Sequence, residues 1–100
     1  MVLEIADIRI QAGQNAAFEE AIQRGLQTVV TQARGYQGHS VHRCVESTDR
    51  YVLQIRWESV EAHNVGFRQS ELFTQWRAIV GPFFAGPPNV EHFTLVTTSS

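Results

Sequence analysis

The sequence predicts a single α+β domain in which four strands and two helices follow the order βαββαβ. Three observations lead to this fold class. The chain has 100 residues, the size of one domain covering 1–100. Segments rich in β-branched residues alternate with segments whose apolar residues recur every three or four positions. Two predicted strands are joined by a short turn, which indicates an antiparallel hairpin. The expected result is a split βαβ arrangement around a four-stranded antiparallel sheet.

The first strand is predicted over Val2 to Gln11, where β-branched and other apolar residues dominate. Successive side chains of a strand point to opposite faces of the sheet. Apolar residues occur at both parities, which indicates that both faces of the sheet are covered. One face carries Leu3, Ile5, Asp7 and Arg9, and the other carries Val2, Ala6, Ile8 and Ile10.

The first helix is expected to begin at Asn15, a typical N-cap residue that follows the turn at Gly13. A glycine in the C′ position, Gly35, is expected to end it. Its apolar residues are spaced as on one stripe of an amphipathic helix. They are Phe18, Ile22, Leu26, Val29 and Ala33.

The second and third strands are predicted over Tyr36 to Glu46 and Arg50 to Trp57. The third strand has the clearest alternation of apolar and polar residues in the chain. Its apolar face is therefore expected to lie under the helices. That face carries Tyr51, Leu53, Ile55 and Trp57.

The second half of the chain repeats the pattern of helix and strand. Ser59 is a plausible N-cap of a helical region, and Ser70 is a plausible N-cap of a helix over Glu71 to Val80. The last strand is predicted over Val90 to Thr97, and the tail 97–100 is expected to be frayed.

Helices on only one face of this sheet would leave the other face uncovered, and either face of the first strand carries several apolar residues. Burying one aliphatic side chain is worth roughly 1.5–3 kcal/mol, so an exposed patch of them favours association. The sequence therefore predicts a homodimer in which two sheets pack face to face. Arg56 or Arg9 is expected to pair with Asp7 or Glu4 there. The alternative is a different partner that covers the sheet.

The composition excludes several classes of protein. The formal net charge is −2 and all eight basic residues are Arg, without a basic cluster, which argues against nucleic-acid binding. No apolar run reaches the ~20 residues of a membrane span, and no signal peptide is recognisable. The lone cysteine, Cys44, fits a reducing cytoplasm.

One segment carries a family resemblance: residues 50–63 read RYVLQIRWESVEAH. In order and spacing, this segment and the positions that follow resemble the antibiotic biosynthesis monooxygenase family. The resemblance implies a ferredoxin-like fold, a dimeric α+β barrel and a pocket between helices and sheet. Relatives include cofactor-independent oxygenases of phenols and quinols, and haem-degrading enzymes. The positions after this segment that carry the resemblance are Gly66 to Ser70, Phe73, Trp76, Phe83, Phe84, Pro88 and Val90 to Phe93.

A cofactor-independent oxygenase needs a base, a group that stabilises the substrate anion and a dry pocket. We expect His63 to act as base or hydrogen-bond donor, because a histidine titrates near neutral pH. His92 and Arg68 are the assisting candidates, and Arg68 would hold an anion. The expected pocket walls are Phe67, Phe73, Trp76, Phe83 and Phe84.

Other interpretations of these residues remain open. His63 can instead fill the gap between helix and sheet, His92 can bond a backbone group at a dimer interface, and the aromatic set can be core. The histidines lack the short spacing of a metal site. Haem is disfavoured, because the haem-degrading relatives use an Asn on the first strand where this chain has Asp7. The alternatives to an oxygenase are a non-catalytic dimeric module that binds a small apolar molecule, and a haem-binding relative.

Overall fold

A computed structural model describes residues 1–99 as a four-stranded antiparallel sheet with two helices, and this confirms the predicted α+β, ferredoxin-like fold. The sheet order is β2-β3-β1-β4, so β1 is a central strand. Within residues 1–99, no helix is long and apolar enough to cross a membrane. The elements are β1 (Val2–Arg9), α1 (Asn15–Thr28), a 3-10 turn (Val30–Gln32), β2 (Tyr36–Arg43), β3 (Arg50–Trp57), a π-helical turn (Ala62–Phe67), α2 (Glu71–Val80), a 3-10 turn (Gly81–Phe83) and β4 (Asn89–Phe93).

The two faces of the sheet differ as the alternation predicts. The helix-covered face buries the apolar residues of β3 at odd positions, 51 to 57, and those of β1 at even positions. The opposite face, here called the open face, carries Leu3 and Ile5, which are half-buried. Asp7 on the open face accepts two hydrogen bonds from Arg50, at 3.0 and 2.6 Å. Within one chain, Arg50 is therefore the partner of Asp7, and the pairing of Arg9 or Arg56 across a dimer interface stays a prediction.

The ends of α1 differ from the prediction. The N-cap position is Gln14, and Asn15 is the first helical residue. The amide of Asn15 donates to the carbonyl oxygen of Thr48 at 2.6 Å and to the hydroxyl of Tyr51 at 2.8 Å, so it joins the helix to the β2–β3 loop. The α-helix ends at Thr28, well before Gly35. The residues directly after Thr28 are a run of β-branched residues, which have lower helix propensity.

Two predicted strands are shorter than expected. β2 ends at Arg43, because the chain then turns back through residues 45–49 into β3. β4 ends at Phe93, which pairs with Leu3 near the start of β1, so further residues have little partner strand left. Residues 94–99 have no regular structure. The predicted frayed tail agrees over 97–99, and Ser100 lies outside the described residues.

One glycine lets α2 approach α1 closely. A Cβ atom at Gly25 would lie 2.9 Å from two ring carbons of Trp76, closer than side chains tolerate. The bare backbone of α1 at this point therefore makes room for the indole. Trp76 is buried there and faces the sheet as part of the core.

Candidate functional site

An apolar cavity of about 170 Å³, which we call the sheet cavity, lies on the helix-covered face. Its floor is formed by four apolar residues of the two central strands, and its walls come from the π-helical turn, α2 and the loop before β4. Among the predicted site residues, those that line it are His63, Phe67, Arg68, Phe73, Trp76 and Phe84. Phe83 lies elsewhere, with its ring 5.9 Å from that of Phe18.

The π-helical turn positions two of these side chains. Ser59 accepts a hydrogen bond from the backbone N–H of Ala62 at 3.1 Å, which confirms it as the residue that caps this turn. The wider winding appears in the bond from the N–H of Arg68 to the carbonyl of His63, five residues earlier, at 2.9 Å. His63 and Phe67 are both buried and their rings are 6.2 Å apart, so the turn directs both toward the sheet.

Glu4 and His63 line the sheet cavity, and His92 extends them into a series of three polar side chains. Nε2 of His63 lies 3.3 Å from Oε1 of Glu4. On its other side, Nδ1 of His63 is 2.8 Å from Nε2 of His92, a hydrogen-bond distance. His92, expected as an assisting residue with a backbone bond at a dimer interface as the alternative, is the outer end of this series within the single chain. Glu4 and His63 are 5% and 3% exposed, whereas His92 is only half-buried.

Trp57 holds the inner end of the series in place. Its indole N–H donates to Oε1 of Glu4 at 2.8 Å. The same indole stacks on the imidazole of His63, with ring centroids 5.1 Å apart and planes inclined by 15°. One buried side chain therefore orients both the carboxyl group and the imidazole.

The second oxygen of Glu4 faces open space. Oε1 receives both the Trp57 bond and the His63 contact, while Oε2 makes no hydrogen bond to any residue in 1–99. Every side-chain nitrogen or oxygen that is fully buried among these residues has a partner. Oε2 is therefore accessible, and the space that Glu4 lines is the sheet cavity.

The low polarity of this floor changes the charge states of both groups. Burial raises the pKa of Glu4 to about 7, although the Trp57 bond and the positive charge of Arg68 act in the opposite direction. Burial, with smaller contributions from His92 and Arg68, lowers the pKa of His63 to about 4. At neutral pH His63 is therefore uncharged, and Glu4 is poised between its acid and its carboxylate.

Two arginines stand at the rim of the sheet cavity. The guanidinium carbons of Arg68 and Arg77 lie 5.6 and 5.8 Å from the ring centroid of Phe73, within cation–π range. Both arginines are exposed and both line the cavity. The cavity thus combines an apolar interior, a titratable floor and a positively charged rim.

Glu4, His63 and His92 form a series and do not converge on a point. Within residues 1–99, no group of three or more His, Cys, Asp and Glu side chains is arranged to hold a metal ion. Because His63 lies between Glu4 and His92 and contacts each with a different ring nitrogen, the geometry is suited to proton transfer.

Sequence reasoning did not identify Glu4 as a site residue. A signal was available: Glu4 has the same parity as Ala6 and Ile8, so alternation places its carboxyl group under the helices. A lone carboxylate on a covered face is costly unless it is neutralised or paired, which marks it as functional. The neighbours that tune it, Trp57 and His63, come from distant parts of the chain.

Comparison with known proteins places this chain in a family. The sequence model of the antibiotic biosynthesis monooxygenases matches residues 1–79. The chain belongs to the antibiotic biosynthesis monooxygenase family. The YczJ protein of Bacillus subtilis (strain 168) is 37% identical over 93 residues, which is 93% of this chain and 97% of that protein.

Solved structures of the family have the same fold. A Bordetella bronchiseptica protein assigned to the antibiotic biosynthesis monooxygenases is 42% identical, with a TM-score of 0.92 over 96% of this chain and 97% of that one. SnoaB of Streptomyces nogalater, a cofactor-independent oxygenase, is 18% identical, with a TM-score of 0.79 over 97% and 94% of the two chains. The similarity to SnoaB concerns the fold.

Proposed function

We propose that this protein is a cofactor-independent monooxygenase that deprotonates a small phenol or quinol-type substrate in the sheet cavity and lets the anion react with O₂. The observation that carries the proposal is the buried carboxyl group of Glu4, a residue that lines an apolar cavity and has one oxygen without a hydrogen bond to residues 1–99. A base is most effective when its pKa lies near the working pH, and the pKa of Glu4 is raised to about 7. Membership of the family and the fold shared with SnoaB support the same reaction class.

The proposed reaction balances without a cofactor because the substrate supplies the electrons. Glu4 takes the phenolic proton, and the electron-rich ring carbon of the anion forms a bond to one atom of O₂. The O–O bond of the resulting peroxide then breaks as the ring C–H becomes C=O. One oxygen atom stays in the quinone product, and the other leaves as water with the two hydrogens lost by the substrate.

Glu4 suits the role of base better than His63, for which that role was expected. The pKa of His63 is lowered to about 4, so its imidazole is a weak base at neutral pH. We assign His63 to positioning Glu4, and His92 to linking this pair toward the surface. Arg68 assists by its positive charge, which already lowers the pKa of Glu4 and also favours a substrate anion.

We further propose that the protein is a cytoplasmic homodimer in which the open faces of two sheets pack together. That face carries Leu3, Ile5, Val52 and Phe93, and Phe93 is 44% exposed in the single chain. A twofold contact would bury these apolar residues symmetrically. Sedimentation at micromolar concentration is expected to give twice the chain mass. A monomer whose Leu3→Lys variant sediments and unfolds unchanged would contradict this pairing.

The activity is tested by oxygen consumption with a panel of hydroquinones and phenols. The Glu4→Gln variant keeps an oxygen that can accept the Trp57 bond but is not a base, so turnover is expected to fall about 10²–10⁴-fold. Glu61→Gln, at an exposed position outside the cavity, is the matched control and should keep wild-type turnover. Binding of the panel without oxygen consumption would favour a non-catalytic ligand-binding module. A Soret shift on adding haem would favour the haem-binding alternative.

A further inference from the structure

We propose that the substrate is a hydroxyaromatic acid with a single ring, and that Arg68 and Arg77 at the rim of the sheet cavity bind its carboxylate. This inference rests on the proposed function and adds to it the chemical class of the substrate. The observations that carry it are the absence of acceptor partners for these two arginines, their shared position over Phe73 and the size of the cavity.

Most arginines of the chain have an acceptor within reach. Arg9, Arg24, Arg43 and Arg50 each lie within 4 Å of a carboxylate, and Arg56 donates to a backbone carbonyl. The guanidinium groups of the other three, Arg34, Arg68 and Arg77, make no hydrogen bond and no ion pair with any residue in 1–99, and of these three Arg68 and Arg77 line the sheet cavity. The two arginines that line the cavity thus have free donors.

Phe73 contacts both of these charges. Arg68 and Arg77 lie 5.6 and 5.8 Å from the centroid of the same ring. Two positive groups near one ring repel each other, and an anion bound to either of them reduces this repulsion. A guanidinium group presents paired N–H donors that match the two oxygens of a carboxylate. The rim is therefore a suitable site for an acidic substituent.

The dimensions of the cavity limit the rest of the substrate. Its volume is about 170 Å³. An engineered apolar cavity of about 150 Å³ takes up benzene, so a single aromatic ring fits this one. The positive charge of Arg68 is also close enough to lower the pKa of both Glu4 and His63. A ring with its carboxylate at the rim can therefore direct a hydroxyl group toward Glu4.

Helix electrostatics does not account for this arrangement. Arg77 lies in the last turn of α2, where a positive charge interacts favourably with the helix dipole. That interaction requires only the position in the helix, whereas the side chain of Arg77 also lines the cavity and lies over Phe73. Arg68 is the C-cap of the π-helical turn, a position that also favours a positive charge but does not by itself require the side chain to line the cavity and lie over Phe73.

The test compares two probes that share the dihydroxylated ring and differ in the charge of one substituent and by one methyl group: 2,5-dihydroxybenzoate and its methyl ester. Binding is measured calorimetrically without oxygen, so that it does not depend on turnover. The wild-type protein is expected to bind the acid at least tenfold more tightly than the ester. Arg77→Met and Arg68→Met should each weaken binding of the acid about tenfold and leave that of the ester unchanged. Arg34→Met, at an exposed arginine outside the cavity, should change neither.

Three results would overturn this assignment: no binding of the acid at millimolar concentration, equal binding of acid and ester, or loss of both ligands to the same extent in the arginine variants. Oxygen consumption with the two probes then distinguishes a failure of the carboxylate site from a failure of the proposed oxygenase function. Arginine-dependent binding of the acid without oxygen consumption retains the carboxylate site and rejects the oxygenase. Equal oxygenation of both probes retains the oxygenase and rejects the carboxylate site.

Discussion

Two carboxyl groups on β1 lie three residues apart and have opposite properties. Glu4 points to the helix-covered face, is 5% exposed, and has its pKa raised to about 7 by burial. Asp7 points to the open face, where two hydrogen bonds from Arg50 lower its pKa. The same strand therefore holds one carboxyl group that can exchange a proton near neutral pH and one that stays ionised.

The comparison shows that the partner and the solvent determine what a carboxyl group can do. Asp7 has a guanidinium partner and access to water, both of which favour its charge. Glu4 has only a neutral indole donor and an imidazole whose own pKa is lowered to about 4. A carboxylate with weak support and little water is a stronger base, which is why we assign catalysis to Glu4.

The largest expected effect is on the pH dependence of turnover. Because Glu4 must be ionised to accept a proton, kcat/KM is expected to fall about tenfold per pH unit below 7, or roughly 100-fold by pH 5. Asp7→Asn should leave the midpoint near 7. A profile that stays flat between pH 5 and 7, measured with any substrate that is turned over, would remove Glu4 as the base.

Stability should show opposite pH dependences from the two floor residues. Glu4 has a raised pKa, so its contribution to the free energy of unfolding is lost as pH rises from 4.5 to 7, by roughly 3 kcal/mol. His63 has a lowered pKa, so its contribution is lost as pH falls from 6.5 to 4, by roughly 3 kcal/mol. In the wild type the two largely cancel.

Single variants should separate the two dependences in urea titrations at several pH values. Relative to the double variant Glu4→Gln/His63→Gln, the single variant Glu4→Gln should lose stability on acidification below pH 6.5. His63→Gln should instead gain stability over pH 7 to 4.5. Parallel profiles for the two single variants would contradict the assigned pKa directions.

A smaller effect is expected from the indole that supports Glu4. Trp57→Phe removes the N–H donor at 2.8 Å and keeps an aromatic ring near His63. Hydrogen bonds to charged groups are worth about 1.5–3 kcal/mol, so the pKa of Glu4 should rise by about one to two units. The pH midpoint of kcat/KM reports this rise, and an unchanged or lower midpoint would be inconsistent with the bond.

The smallest effect belongs to the open face. Asp7→Asn removes a partly exposed ion pair with Arg50, and such pairs contribute about 0.2–1 kcal/mol. Because the pKa of Asp7 is lowered, this contribution is present above pH 3.8 and disappears as pH falls further. Urea unfolding at pH 7 should show the loss, and 1 M salt should reduce it. These magnitudes apply to the single chain, and a loss of several kcal/mol would indicate that packing of the open faces in the dimer buries the pair.

The sequence predicted the elements well where the signal is local. Alternation in β3 correctly assigned its buried face, and α2 has the predicted bounds, Glu71 to Val80, with Ser70 in the N-cap position. The end of α1 was missed, because the buried residues Val29 and Ala33 continue the apolar spacing of the helix after its hydrogen bonds have changed to a 3-10 turn. Apolar spacing reports burial and does not distinguish these two windings.

The site was predicted less completely, for a physical reason. His63, Phe67 and Arg68 could be nominated because each is conspicuous within its own segment. Glu4 acquires its raised pKa from burial under distant parts of the chain, and its contacts Trp57 and His63 are more than fifty residues away along the chain. Its raised pKa depends on the packed environment that the complete fold creates.

The central claim is that Glu4 is a buried carboxyl group that titrates near neutral pH. Carbon-13 NMR of the glutamate side-chain carboxyl carbons, titrated from pH 3 to 9 and assigned with Glu4→Gln, tests it directly. The midpoint for Glu4 is expected at about 7. A midpoint at or below the ordinary value of 4.5 would contradict the account, because Glu4 would then be a weak base and the sheet cavity would lack the proposed catalyst.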